Sequence, residues 1–419
     1  MKKKLRIKKK VIFIFVVLLF LVAGFFTFKY SEELKRKADE KIALEKKKQI
    51  KKIKSHYASI VEFSKDSLVY EKKGDKFIEV LSISSGERVS LDNIDINEKT
   101  EYFKINDNGY YVHYSDVVPS DNSFVKNDRY KKYLVFNENV ISRENAKLYR
   151  DGKLVYTIKN SFEEEIIIKD DNGYYIEYLN ELLFINKDDV LDVKEVSNTT
   201  MVEASGVPVT VYHFIYLEGD NTCGEAICHS EKQIREHFTY LNENKFFTIN
   251  TTELRLYLEG KLRLPEKSIL ITIDDGARAW NFVPLLEEFK INATLFLISS
   301  WYEKERFASE YMEIASHTHN LHTPRVCPGG QGSPLKCLDR EKLVGDLKQS
   351  RDTLNGTEAF CFPFYEFNDY GISTLKEAGF KMAFIGGYRK ATRGVDLYKI
   401  PRLPLTGYTT IEQYAKYIN

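Results

Sequence analysis

The stretch Ser268-Ile269-Leu270-Ile271-Thr272-Ile273 is a short apolar and β-branched run that stops on Asp274-Asp275-Gly276. Its length and composition predict a buried strand, and the Asp-Gly step marks where that strand becomes a loop. Two acids at the end of such a strand stand at the mouth of a sheet, where ligands bind. Successive strand residues point to opposite faces, so the carboxylates need not share one task. One can hold a metal ion while the other moves a proton. Asp-Gly is also ordinary turn chemistry, and the choice between the readings depends on partners elsewhere. A candidate partner lies about forty residues on, in Ser316-His317-Thr318-His319-Asn320-Leu321-His322.

From about residue 200 the chain alternates strand-like and helix-like segments. Strands are expected over Val207 to His213, Ser268 to Ile273, Ala293 to Ile298, Ala359 to Phe364 and Met382 to Ile385. Helices are expected over Ser230 to Asn242, with Ser230 as cap, and over Val283 to Lys290, Asp339 to Asn355 and Gly371 to Gly379. Repeated strand-helix units imply an α/β domain on a parallel sheet, open or closed into a barrel.

The N-terminal half differs. Seven basic residues among positions 1–10 precede an uncharged apolar run from Val11 to Phe28. Eighteen helical residues span roughly 27 Å, close to a hydrocarbon core. The basic flank keeps the N-terminus inside and sends the remainder out. The expectation is a single-pass signal anchor at residues 11–28 in the cell membrane, with residues 1–10 cytoplasmic and the later domains extracellular. A cleaved signal peptide is the competing reading. The run exceeds a usual signal core, and Leu21-Val22-Ala23-Gly24 is a weak cleavage site.

Residues 29–56 are charged and free of Pro and Gly, with Ser31 ahead of Glu32-Glu33, and read as a solvated helical stalk. Residues 57–197 read as all-β. They hold a repeat in which Asp107-Asn108-Gly109-Tyr110-Tyr111 recurs as Asp171-Asn172-Gly173-Tyr174-Tyr175, an Asn-Gly hairpin turn followed by alternating aromatics. These units, 57–125 and 126–197, resemble bacterial SH3-like repeats, which implies wall binding; a plain spacer is the alternative. The formal net charge of +1 argues against a nucleic-acid partner held by phosphate contacts. Five cysteines suit an extracellular location. Local bridges Cys223–Cys228 and Cys327–Cys337 are expected, with Cys361 a buried free thiol.

His and carboxylate side chains hold water-activating divalent ions, commonly as three protein ligands with an open position. Asp275, His317 and His322 would supply that set. Three histidines within six residues, in a chain with eight, argue for a metal site rather than three separate structural roles.

Thr272-Ile273-Asp274-Asp275-Gly276, then Glu313-Ile314-Ala315-Ser316-His317-Thr318-His319-Asn320-Leu321-His322, then Phe362-Pro363-Phe364 resemble the successive motifs of polysaccharide deacetylases with the NodB-homology fold, carbohydrate esterase family 4. The resemblance covers residues 200–419 and implies a distorted (β/α) barrel that removes acetyl groups from N-acetylglucosamine polymers. The five-residue step from His317 to His322 is similar to the poly-N-acetylglucosamine deacetylase subgroup. There the acid histidine lies upstream of the Asp-Asp strand, and His213 after Val211-Tyr212 fits that position.

The implied roles follow residue by residue. Asp275, His317 and His322 hold a divalent metal, zinc being the natural candidate. Asp274 is the general base, and His213 protonates the departing amine. A backbone N–H near Phe364 or Tyr365 meets the oxyanion in the substrate groove. His319 is expected in a supporting or surface role. Two departures stand out. Tyr365 occupies a position that is commonly glycine, where its bulk would narrow the groove. The arginine usual before the third motif is absent, with Arg389, Arg393 and Arg402 as possible substitutes. Peptidoglycan is slightly favoured as substrate over poly-N-acetylglucosamine because the β region and stalk would hold the domain at the wall. A non-catalytic wall-glycan binder is the alternative. A glycoside hydrolase fits poorly, since adjacent carboxylates are not opposed ones.

Overall fold

The computed structural model describes residues 2–55, 60–92, 101–105, 109–120, 128–196, 202–217, 219–220 and 226–419, without the side chains of 2–24, 54 and 55. The chain divides into two compact units.

The first unit comprises Met1–Lys126, Ile141–Phe162 and Tyr178–Leu191. A helix spans Lys2–Ser55. Ser31 lies inside it rather than at its start, with its hydroxyl donating back to the Phe28 carbonyl at 2.7 Å. No proline interrupts this stretch, so the helix continues through the predicted cap. Its last turns bury Ile50 and Ile53, and Gln49 Nε2 donates to the Tyr114 carbonyl at 2.8 Å. The rest of the unit is antiparallel β, as in the hairpin Ser67–Lys73 and Lys76–Ile83. Strands Tyr102–Lys104 and Tyr111–His113 also pair antiparallel; Asn108 of the predicted turn between them lies outside the described residues. Among the described residues no helix is long and apolar enough to cross a membrane; of the apolar run from Val11 to Phe28, only the side chains from Phe25 onward are described.

The second unit comprises Asn127–Val140, Glu163–Glu177 and Asp192–Asn419. It contains the second Asn-Gly copy, whose strand Glu163–Lys169 pairs antiparallel with the strand starting at Gly173. Its centre is a parallel barrel. The strands are β1 (Val209–Tyr212), β2 (Phe247–Ile249), β3 (Ser268–Asp275), β4 (Ala293–Leu297), β5 (Met312–Ser316), β6 (Ala359–Cys361), β7 (Met382–Gly386) and β8 (Ile400–Pro404). The order β1-β8-β7-β6-β5-β4-β3 closes through the β1–β3 pairing into seven strands. β2 pairs with the first half of β3, and β4 with its second half.

Every residue of β3 is buried, as its unbroken apolar run required. Ile269, Ile271 and Ile273 pack against Ile234, Phe238 and Leu241 of helix α1 (Glu231–Glu243), and against Leu285 and Leu286 of a further helix (Phe282–Phe289). The period of two turns Thr272 and Asp274 the other way, toward Arg402 on β8. Ser230 caps α1 by accepting from the Gln233 N–H. The strand expected through Phe364 ends at Cys361, since Pro363 starts a 3-10 turn. The bridge Cys327–Cys337 is present and Cys361 is free and buried. Cys228 is disulfide-bonded; Cys223 lies outside the described residues.

Candidate active site

The C-terminal ends of the barrel strands carry the candidate residues, as expected for ligand sites on such folds. His213 follows β1, Asp274 and Asp275 end β3, His317 follows β5, and Pro363–Tyr365 follows β6.

Asp275 has φ +75°, a left-handed conformation rare outside glycine. Gly276 follows at φ +108°, where an added Cβ would meet Leu297 Cδ1 at 2.5 Å. This turn sets the Asp275 carboxylate against the histidine loop. The His317 and His322 Nε2 atoms each lie 3.3 Å from Asp275 Oδ1. One donor atom from each residue falls within 4.8 Å of the others. His317 Nδ1 is 2.8 Å from the Cys361 carbonyl. A carbonyl only accepts, so Nδ1 carries a proton there and Nε2 is the ring atom turned to Asp275, the one that would face a metal. One carboxylate and two imidazoles with an open side fit a zinc-like divalent ion. His322 is flanked by Phe364, ring centres 4.5 Å apart, and by Trp301 at 5.7 Å.

Asp274 is engaged differently. Arg402, fully buried, meets it with a bidentate fork, Nη1 to Oδ1 and Nη2 to Oδ2, each 2.7 Å. Burial alone raises the Asp274 pKa, but the Arg402 charge and hydrogen bonds outweigh it and hold the group below the usual carboxylate range. The Cys361 thiol lies 3.5 Å from Asp274 Oδ2, and Arg402 Nη2 lies 2.8 Å from that sulfur. Burial pushes the thiol up, keeping it protonated. His213 Nε2 is 3.9 Å from Asp274 Oδ2, while its buried Nδ1 has no hydrogen-bond partner among the described residues.

Tyr365 does not close the site. Its ring lies over the Arg402 guanidinium at 5.2 Å and packs where a Cβ on Gly386 would approach its Cγ to 3.0 Å. Phe364 and Tyr365 have φ of +60° and +58°, which accounts for glycine being the more usual residue there. Of the three arginines weighed, Arg402 reaches the site, and Arg393 pairs with Glu203 away from it. His319 Nδ1 bonds Ser299 Oγ at 3.0 Å and takes no place among the candidate ligands. Sequence reasoning missed Asp346, whose carboxylate accepts from the His319 and Asn320 N–H groups and braces the histidine loop. It lies on the helix Arg340–Thr353, and nothing in its local sequence distinguishes it from a solvated helical acid.

Residues 261–383 match the family model "Polysaccharide deacetylase". The poly-beta-1,6-N-acetyl-D-glucosamine N-deacetylase of Staphylococcus aureus is 25% identical over 218 residues, 46% of this chain and 72% of that protein. The enzyme of the same name from Escherichia coli is 24% identical over 238 residues, 44% of this chain and 34% of that one. Among solved structures, a de-N-acetylase from Aggregatibacter actinomycetemcomitans aligns at 21% identity and TM-score 0.43, covering 50% of this chain and 99% of that one. With the buried Asp-His cluster at the barrel mouth, the match over residues 261–383 assigns the barrel region of this chain to the polysaccharide deacetylase family of hydrolases.

Proposed function

We propose that the chain removes acetyl groups from N-acetylglucosamine residues of an extracellular polysaccharide, anchored to the cell membrane by residues 11–28. The observation that carries this reading is the division of labour at the end of β3. Asp275 faces two imidazole Nε2 atoms at 3.3 Å, while Asp274 is held separately by Arg402. A divalent ion bound by Asp275, His317 and His322 would polarise the acetamide carbonyl and lower the pKa of water.

The chain's own residues supply the proton movements. Asp274, kept ionised by Arg402, takes a proton from the attacking water. His213, whose Nε2 lies 3.9 Å from Asp274 Oδ2, gives a proton to the nitrogen as the C–N bond breaks, since an amide anion is a very poor leaving group. The Tyr365 N–H already donates to the Phe362 carbonyl at 3.1 Å. The Phe364 N–H is therefore the better candidate to meet the developing oxyanion.

The named relatives and the five-residue histidine step favour poly-N-acetylglucosamine. Wall attachment through SH3-like repeats at 57–125 and 126–197 would favour peptidoglycan. Acetate release from both polymers by the zinc-loaded full chain tests the reading. Release that is lost in Asp274→Asn is expected, and the faster polymer identifies the substrate. Glycan binding without acetate from either would leave a wall-glycan-binding protein, and new reducing ends would indicate chain cleavage.

A further inference from the structure

Trp301 is a large aromatic left half-exposed at the rim of the candidate metal site. Its relative exposure is 48%, and its ring meets His322 nearly edge-on, centroids 5.7 Å apart at 71°. Its neighbour Tyr302 turns the opposite way and packs against the barrel core. The chain therefore buries one of two adjacent aromatics and keeps the larger one in water, an arrangement that core packing does not require.

The segment carrying Trp301 is also fixed in place. Ser299 N–H donates to the Thr318 carbonyl at 3.2 Å, and Ser300 N–H to the His319 carbonyl at 3.0 Å. Ser299 Oγ meets His319 Nδ1 at 3.0 Å, and Ser300 Oγ donates to Asn320 Oδ1 at 3.2 Å. These four contacts tie the loop after β4 to the loop that bears His317 and His322. The backbone that carries the indole is thus held relative to the site, so little loop ordering is left to pay for on binding. Phe364 stands at 4.5 Å from the same imidazole, so His322 lies between two aromatic rings.

We propose that Trp301 is a stacking platform for a pyranose ring next to the one deacetylated, and so sets the enzyme's preference for polymer over monomer. A pyranose has a C–H face and a hydroxyl rim. An indole matches that face through its apolar area and the negative potential of its π cloud. This inference rests on the deacetylase reading, because it names a neighbouring subsite of the same site.

The test compares wild type, Trp301→Ala and Trp301→Phe on N-acetylglucosamine oligomers of increasing length, with acetate release as the rate. In wild type, KM falls as the oligomer lengthens. Trp301→Ala should raise KM for long oligomers roughly tenfold, the size of one lost aromatic contact. Its kcat and its KM for the shortest substrate should stay near wild type, and Trp301→Phe should recover part of the loss. Zinc affinity is measured on each variant, because Trp301 touches His322. A uniform fall in kcat with weaker zinc binding would show a purely structural role and overturn the proposal, as would equal KM at every length.

A second readout separates this inference from the reading beneath it. The chain has two tryptophans, Trp280 and Trp301, so Trp280→Phe leaves Trp301 as the emitter. Oligomer-dependent quenching without acetate release from any polymer would sink the deacetylase reading and keep the platform. Acetate release with no quenching would do the reverse.

Discussion

Arg402 and Asp274 form a buried ion pair that a double-mutant cycle can dissect. Arg402→Met leaves a carboxylate that is 2% exposed without its bidentate partner. At contacts of 2.7 Å and an effective dielectric of about 20, the lost attraction is about 6 kcal/mol. Water penetration and relaxation bring the cost of breaking such a pair to about 3–5 kcal/mol. Asp274→Asn leaves the mirror-image problem, a guanidinium with no charge to meet. The double variant Asp274→Asn/Arg402→Met has neither charge, so its loss should fall short of the sum of the singles by at least about 2 kcal/mol. The assay is urea unfolding at neutral pH with metal stripped, so that metal binding does not add to stability. Tryptophan fluorescence reports the correct region, because Trp280 and Trp301 both lie in the barrel unit. Single and double losses that add to within about 0.5 kcal/mol would refute the coupling. They would also remove the reason given for Asp274 staying ionised in a buried site.

Acid should weaken the barrel through two buried histidines. Burial first, and a neighbouring histidine second, pull His229 down to about 4 and His237 to about 3. Below the ordinary value of 6.5 the unfolded chain binds protons that the fold refuses, so stability is lost as pH falls toward 4. The slope should approach about 1.4 kcal/mol per pH unit for each histidine, read as urea midpoints across that window; midpoints that rise on acidification would contradict it. Gly276→Ala should cost about 1–3 kcal/mol and lower zinc affinity, since φ +108° and the Leu297 contact leave no room for a methyl group; a wild-type calorimetric titration would show the turn to be slack. Removing the Cys327–Cys337 bridge, which spans ten residues of sequence, should lower stability by about 2–3 kcal/mol, measured for Cys327→Ser/Cys337→Ser against the oxidised parent.

Most of the barrel's helices and β3 were legible because their signals are local. Ser230 caps where a serine ahead of an amphipathic run should, and Gly379 closes the helix Asp369–Ala378 at φ +91°. The cluster of Asp275, His317 and His322 was legible because Asp-Asp-Gly and the histidine run are each compact in sequence. β8 was not foreseen. Its five residues Ile400–Pro404 include two prolines and an arginine, a composition that local rules assign to a loop. What makes it a strand is pairing with β1 and β7, and what makes Arg402 tolerable in a core is a carboxylate 128 residues upstream. Both causes are tertiary. The Tyr365 difficulty was likewise visible as a departure, but its resolution depended on the space left by Gly386 on another strand.

That separation of 128 residues has a consequence for how the protein matures. The strand bearing Arg402 is the last of the barrel to leave the ribosome, with the helix Ile411–Ile418 after it. Until it docks, β1 and β3 can pair, yet Asp274 has no cation to hold it ionised in a dry site. Before that docking, the histidine cluster stands beside an Asp274 carboxylate that lacks the cation of the buried pair. The charge on Asp274 is therefore secured only at ring closure, when β8 seats between β1 and β7.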